Sequence, residues 1–343
     1  MNRLFLVYMI LILPVTVNAK SFYAQKIVSC SAGAYHTLAI DESGNLWSWG
    51  FNSYGQLGDG TTQDQYMPVQ IKPDTKFKIG VAGYNYSMAI DESGNLWGWG
   101  TNNTGQLGNS TTSEKTSIPA LIKSGTKFKT VSILHSHTLA IDESGNLWGW
   151  GSNTKGQLGD GTSSERYSPA KIKSGTKFKY ISAGTAHSMA IDESGNLWAW
   201  GSSEYGKLGY GGLLVKNLPV MVKVGSKFKM ADAGSVHSAA IDESGNLWTW
   251  GYNKNGRLGD GTTSDRYFPI SIKPDTKFNN VSAGYAHTLT IDESGKLWAW
   301  GYNDVGQLGD GTAWRESPVW INTGNSTRVN FNLKDDNIKQ ANR

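Results

Sequence analysis

One eight-residue segment, Ile40-Asp41-Glu42-Ser43-Gly44-Asn45-Leu46-Trp47, returns with its first residue at Ile90, Ile141, Ile191, Ile241 and Ile291. Its only change is Lys296, and every copy is followed by one variable residue, Trp and Gly. The copies stand 50 residues apart, and once 51. A unit of this length cannot bury its apolar side alone. Neighbouring units must cover it, so the period restricts the chain to a solenoid, an array or a propeller. The repeat runs without interruption over residues 26–321, which makes the 343 residues one architecture of equal units rather than two unrelated domains.

Each unit carries the signals of four short strands. In the fourth they are 178–183 (a), 187–191 (b) and 197–201 (c), with 169–172 as the strand d that precedes a. Between b and c, Asp192-Glu193-Ser194-Gly195 is hairpin chemistry: Asp bonds its own backbone and Gly takes the left-handed conformation that closes a short loop. The 42 glycines, 14 tryptophans and only 9 prolines suit many short strands joined by tight turns, an all-β class. Alternation in Leu197-Trp198-Ala199-Trp200 sends both tryptophans to one side of the sheet and the leucine to the other. Two apolar sides mean two covered faces, and short, repeated sheets of that kind fit a propeller. A buried Trp removes about 150–250 Å² from water, worth roughly 4–6 kcal/mol before entropy is subtracted. The twelve paired tryptophans are therefore the expected structural residues of the blade interfaces: Trp47, Trp49, Trp97, Trp99, Trp148, Trp150, Trp198, Trp200, Trp248, Trp250, Trp298 and Trp300.

Gly184-x-x-His187-Ser188-x-Ala190, then Gly195-x-Leu197-Trp198-x-Trp200-Gly201, then Gly206-Lys207-Leu208-Gly209, resembles the repeat of the regulator of chromosome condensation (RCC1-like) family, whose members are β-propellers. The last segment is plainest at Asn303-x-x-Gly306-Gln307-Leu308-Gly309-Asp310-Gly311. Familiar members have seven blades, whereas six complete copies are present here. The expected fold is a six-bladed β-propeller of four antiparallel strands per blade. Pairing of the C-terminal strand (318–321) with the N-terminal one (26–32) is expected to close it and spare the sheets two exposed edges. Residues 322–343 are polar, lack the Trp pair and read as a disordered tail.

Alternating strand direction places the a–b and c–d loops at one end of each blade and the b–c and d–a loops at the other. The second set is nearly invariant, pairing Asp-Glu-Ser-Gly turns with lysine-bearing loops such as Lys72-Pro73-Asp74-Thr75-Lys76, and mixed charge of this kind reads as a solvated surface. The first set holds the variation. Its a–b loops contribute Tyr35, Tyr84, Tyr86, His135 and Tyr285. Its c–d loops contribute Tyr210, Leu213, Leu214 and Val215 in the fourth unit and Trp314 with Arg315 in the last. Aromatic and apolar loop residues, with Arg beside Trp, have the composition of interface anchors, so these are the candidate partner-binding residues. The bland reading of 213–215 is that they pack beneath their own loop. Sugar binding is a third possibility: aromatics in separate pockets favour sugar, and one continuous patch favours protein.

Catalytic chemistry finds little support. Five histidines, His36, His137, His187, His237 and His287, share one repeat position, with Tyr86 in the second copy, which suits a bond pinning a strand end rather than catalysis. The run from Gly201 to Lys207 spells G-x-x-x-x-G-K, but Leu208 stands where a phosphate loop needs Ser or Thr. Asp59, Asp160, Asp260 and Asp310 each offer one carboxylate in an Asp-Gly-Thr turn, without the spaced series a calcium loop requires. The expectation is no enzyme, no cofactor and no metal. A charge of +4, well mixed along the chain, gives no case for nucleic acid. Cys30, the sole cysteine, falls where other units hold Gly80, Val131, Ile181, Ala231 and Val281, so a buried small side chain is expected.

Residues 1–19 join Arg3 to an apolar run and a small-residue cleavage pattern ending at Ala19, which reads as a secretory signal peptide. Residues 20–321 are then the propeller of a secreted or periplasmic monomer, with no membrane attachment after cleavage, that binds another protein through its variable loops. The resemblance implies an alternative partner and activity, nucleotide exchange on a small GTPase of the Ran type.

Overall fold

A computed structural model of the chain describes residues 25–112, 115–123, 125–222 and 225–321. The leader at 1–19 and the tail at 322–343 lie outside the described residues. Twenty-four strands follow in six sets. Blade 1 is β1 (Ile27–Ala32), β2 (His36–Asp41), β3 (Leu46–Gly50) and β4 (Gln65–Ile71); blade 2 is β5 (Phe77–Ala82), β6 (Tyr86–Asp91), β7 (Leu96–Thr101) and β8 (Lys115–Ile122). Blade 3 is β9 (Phe128–Ile133), β10 (His137–Asp142), β11 (Leu147–Gly151) and β12 (Arg166–Ile172); blade 4 is β13 (Phe178–Ala183), β14 (His187–Asp192), β15 (Leu197–Gly201) and β16 (Lys216–Met221). Blade 5 is β17 (Phe228–Ala233), β18 (His237–Asp242), β19 (Leu247–Gly251) and β20 (Arg266–Ile272); blade 6 is β21 (Phe278–Ala283), β22 (His287–Asp292), β23 (Leu297–Tyr302) and β24 (Trp314–Trp320).

Each blade is one antiparallel sheet of four consecutive strands, so the fold is the all-β, six-bladed β-propeller that the period predicts. The closing ladder expected between 318–321 and 26–32 is not among the strand pairings of the described residues. Instead β24 pairs with β23 and β1 with β2, and every blade is whole on its own four strands.

The tight turns form for local reasons. Asp192 Oδ1 accepts the Asn196 backbone N–H at 2.9 Å, Oδ2 accepts Asn196 Nδ2 at 2.8 Å, and Gly195 N–H returns to Asp192 O with φ at +80°. The first tryptophan of each pair ties into the same turn, as Trp198 Nε1 donates to Asp192 Oδ2 at 2.9 Å. At the other end of strand c, Gly201 (φ +101°) is required because a Cβ there would stand 2.7 Å from Ala186 O.

Contacts divide the chain into two compact units, one formed by residues up to 103 with 107–131, the other by 104–106 with 132 onward. Within each unit the blades stack in one way. The leucine face of one blade (Leu139, Ile141, Leu147 and Ile172 in blade 3) packs against the tryptophan face of the next (Phe178, Ile181, Ala183, Ala190 and Trp200 in blade 4). The same arrangement joins blades 4 and 5, blades 5 and 6, and blades 1 and 2. The second tryptophan of the pair, Trp99, Trp150, Trp200, Trp250 or Trp300, is fully buried in blades 2–6, and its Nε1 donates to a backbone carbonyl of the preceding repeat, as Trp200 does to Gln157 O at 2.8 Å.

Blade 1 departs from this pattern at two positions. Trp49 is only half-buried, unlike its five counterparts. Cys30 is exposed, where Val131, Ile181, Ala231 and Val281 are buried, so the buried side chain expected at this position is not found.

Candidate functional site

The b–c and d–a end of the blades satisfies its own polar groups. Lysines of the d–a loops reach the turn of the preceding blade, Lys177 Nζ donating to Asn146 Oδ1 at 2.7 Å and Lys227 Nζ to Asn196 Oδ1 at 2.6 Å. Lys173 and Lys273 lie over the first-tryptophan rings, 4.2 Å from Trp198 and 4.3 Å from Trp298. Burial alone would raise the carboxyl of Asp192, but the bonds from Trp198 and Asn196 outweigh it and hold the group below the ordinary aspartate value. The alternation of charge read from the sequence is thus a set of fixed struts between blades.

A polar relay runs beneath the a–b loops. His187 Nε2 meets Ser238 Oγ at 2.9 Å, and Ser238 Oγ donates to Lys207 O at 2.8 Å. The hydroxyl spends its one proton on the carbonyl, so the histidine must donate through Nε2. His36–Ser87–Gln56 repeats the arrangement, and His237–Thr288–Arg257 does so with Thr. These histidines bridge two blades rather than pinning one strand end. Burial pushes them down, His36 to about 4 and His237 to about 3, so they stay neutral and serve as structural donors.

Above the relay lie the candidate contact residues. Tyr86 is not among the available ones: it begins β6 at the histidine position and is fully buried, because the side chain after the a–b loop points into the blade interface. Tyr35 and Tyr84 are exposed, Tyr35 by 63%, and they form a row with two c–d loop aromatics. Tyr84–Tyr35, Tyr35–Phe51 and Phe51–Tyr54 each meet edge to face with centroids 6.1 Å apart. His135 is exposed on its own loop.

In blade 4, Leu213, Leu214 and Val215 are exposed, Leu214 by 74%, rather than folded beneath their loop. Tyr210 braces them, its hydroxyl donating to Leu214 O at 2.6 Å and its ring lying 4.7 Å below Lys216 Nζ. Tyr285 is 81% exposed and Trp314 is exposed at the start of β24. Arg315 Nε lies 2.7 Å from Asp310 Oδ2, as Arg166 lies against Asp160 and Arg266 against Asp260, so it braces the c–d loop while its side chain stays 41% exposed next to Trp314 in sequence. The Asp-Gly-Thr turns are held by those pairs and by Thr and Asn donors, among them Thr162 Oγ1 to Asp160 Oδ1 at 2.8 Å. Among the described residues no three His, Cys, Asp or Glu side chains gather into a metal-binding group.

One cluster escaped the sequence reading. Tyr205 and Tyr252 stack 4.3 Å apart, Arg257 lies 4.7 Å from the Tyr252 ring, and Arg257 Nη1 donates to Tyr285 O. The available signal was a departure from the repeat: Arg257 and Lys207 stand where Gln56, Gln106, Gln157 and Gln307 stand elsewhere.

Comparison with known proteins places this geometry. The sequence model of the RCC1-like domain family matches residues 80–339, and that of the RCC1 repeat matches 43–90 and, in a second form, 27–56. The chain belongs to the RCC1-like domain family. Among curated relatives it is 34% identical to the ultraviolet-B receptor UVR8 of Arabidopsis thaliana over 145 residues, 41% of this chain and 33% of that one. It is 35% identical to the probable E3 ubiquitin-protein ligase HERC4 of Homo sapiens over 151 residues, 43% of this chain and 10% of that one. The matches thus span a third or less of the length of these relatives. Of solved structures, human WBSCR16 superposes with a TM-score of 0.77 at 23% identity, covering 87% of this chain and 82% of that one. Prp20p of Saccharomyces cerevisiae gives 0.77 at 24%, covering 87% and 77%. At these identities the structures support the RCC1-like propeller fold alone.

Proposed function

We propose that this RCC1-like propeller is a non-enzymatic binding module that holds another protein through the a–b and c–d ends of its blades, acting as a secreted or periplasmic chain once residues 1–19 are removed. The observation that carries this reading is the unbroken row Tyr84–Tyr35–Phe51–Tyr54, a continuous aromatic surface rather than separate ring-sized pockets. Rigid aromatics of this kind contribute large contact area at low entropic cost, which suits a protein partner over a sugar. The exposed Leu213–Leu214–Val215 run supports the same reading from blade 4. Export rests on the sequence of the first 19 residues.

A second reading is kept because one structural neighbour, Prp20p, is described by its binding to Gsp1p and histones. Exchange on a small GTPase would require this chain to reach one, which export alone does not provide. The test is affinity capture by residues 20–343 from envelope and medium fractions, run beside two variants, Tyr35→Ser with Tyr84→Ser and Leu213→Ser with Leu214→Ser. A protein captured by the parent and lost from either variant, with melting unchanged, supports the reading. Equal capture by all three sinks it, and accelerated nucleotide release from a captured GTPase would replace it with the exchange reading.

A further inference from the structure

Blades 4 and 5 carry a cation at a repeat position where the other blades carry an amide. Gln56, Gln106, Gln157 and Gln307 hold their own loops: each Oε1 accepts the backbone N–H two residues before it, from Tyr54, Thr104, Lys155 and Val305, at 2.9–3.2 Å. Lys207 and Arg257 have no such acceptor to offer. Their loops take a left-handed residue at that point, Tyr205 at φ +61° and Asn255 at φ +65°, a conformation that side chains other than glycine adopt at a cost and that collects at functional sites.

Both cations are deeply set and poorly paired. Lys207 is 2% exposed and Arg257 5%. The carboxylate nearest Lys207 Nζ is Glu204 Oε2, 3.9 Å away on an exposed side chain, and Nζ makes no hydrogen bond among the described residues. Burial pushes this ammonium below its ordinary value, with Glu204 opposing the shift and Lys155 adding to it. Arg257 spends Nε on Lys254 O at 2.9 Å and Nη1 on Tyr285 O at 3.3 Å, both neutral acceptors. Asp265 attracts it only from beyond ion-pair distance and accepts the Asn253 N–H at 2.8 Å. Neither Lys207 Nζ nor Arg257 Nη2 is among the wholly enclosed unpartnered polar atoms, so both tips stay in reach of solvent. A covered cation without an anion is costly, and four blades show that the loop holds without one. The two positions lie in neighbouring blades at the a–b and c–d end, joined by the Tyr205–Tyr252 stack at 4.3 Å, with Arg257 4.7 Å from the Tyr252 ring.

We propose that Lys207 and Arg257 each receive a carboxylate from an acidic segment of the protein partner, which crosses the Tyr205–Tyr252 stack between them. This rests on the binding-module reading and gives the partner its chemistry. Two cations one blade apart suit carboxylates spaced along an extended chain, whereas a single small oxyanion has no need of both positions. The c–d loop that holds Lys207 also holds the exposed Leu213–Val215, an apolar surface for the rest of the partner.

The full chain is titrated with fluorescein-labelled hexaglutamate and followed by polarisation. Lys207→Gln, Arg257→Gln and their combination restore the residue that four blades already use, so the fold is kept, and Lys207→Gln alone breaks no described hydrogen bond. Lys177→Gln with Lys277→Gln removes the same charge from the b–c and d–a end. The expected result is binding by the parent, weaker by roughly tenfold in each single variant and by more in the pair, with the Lys177/Lys277 control unchanged. Absence of binding by the parent, equal binding by parent and Lys207/Arg257 pair, or an equal loss in the control overturns the proposal. Inorganic phosphate bound more tightly than hexaglutamate overturns it too, by making the site one for phosphate. Partner capture separates this inference from the reading beneath it. A protein lost from the Tyr35/Tyr84 or Leu213/Leu214 variants but kept by the Lys207/Arg257 pair overturns the acidic segment alone; a protein lost from the pair as well supports it.

Discussion

The two ends of every blade are built from the same four strands, yet they solve opposite problems. At the b–c end, each Asp carboxylate is filled by its own turn and by a tryptophan, and the last lysine of each d–a loop is tied to an asparagine of the preceding blade. At the a–b end, the histidine relay ties neighbouring blades through Ser and Thr hydroxyls, and the loops above it turn aromatic and aliphatic side chains toward solvent. Repetition at one end and divergence at the other therefore separate stability from binding, although both ends belong to one short sheet.

Acid should break the comparison most strongly. His36 is held at about 4 and His237 at about 3 by burial, against an ordinary 6.5. As pH falls below 6.5 the unfolded chain takes up these protons first, so stability is full above 6.5 and drains as pH approaches 4. Each such histidine contributes up to about 1.4 kcal/mol per pH unit. The aspartates of the b–c end sit below their usual 3.8 and lose their contribution only at lower pH, so they are silent in this window. Urea unfolding between pH 7 and 4 should show the decline, and a His36→Gln variant should show a shallower one; identical slopes would remove the histidines from the account.

Asp192→Ala comes next. It strands Trp198 Nε1 and the Asn196 amide, and should cost about 1.5–3 kcal/mol in denaturant unfolding at pH 7. A smaller effect is expected from Lys177→Met, whose half-solvated bond to Asn146 is worth under about 1 kcal/mol. Smallest of all, Tyr35→Ser with Tyr84→Ser should move stability by no more than about 0.5 kcal/mol, because both side chains are exposed. A large loss there would make the aromatic row part of the fold and erase the contrast.

Much of the fold was legible because each signal was repeated six times. The Asp-Glu-Ser-Gly turns, the alternation around each tryptophan pair and the strand limits of blade 4 follow from local chemistry that a single unit already states. What escaped depends on neighbours. Cys30 and Trp49 occupy the same repeat positions as their buried counterparts, yet the first is exposed and the second only half-buried. Tyr86 reads as a loop aromatic beside Tyr84, but its register places it in the interface slot that histidine fills elsewhere. The ion pair of Arg315 with Asp310, which repeats those of Arg166 and Arg266, was likewise not read from the sequence. The Tyr205–Tyr252–Arg257 stack joins residues from two repeats, a juxtaposition that spacing within one unit does not reveal.

The most direct test of the division between the ends is hydrogen exchange of residues 20–343, alone and saturated with the protein they capture. The account predicts new protection in the loops around Tyr35, Phe51 and Tyr84 or around Leu213–Val215, with the turns at Asp41, Asp192 and Asp242 unchanged. Protection confined to those turns, with the aromatic and aliphatic loops still exchanging freely, would contradict it.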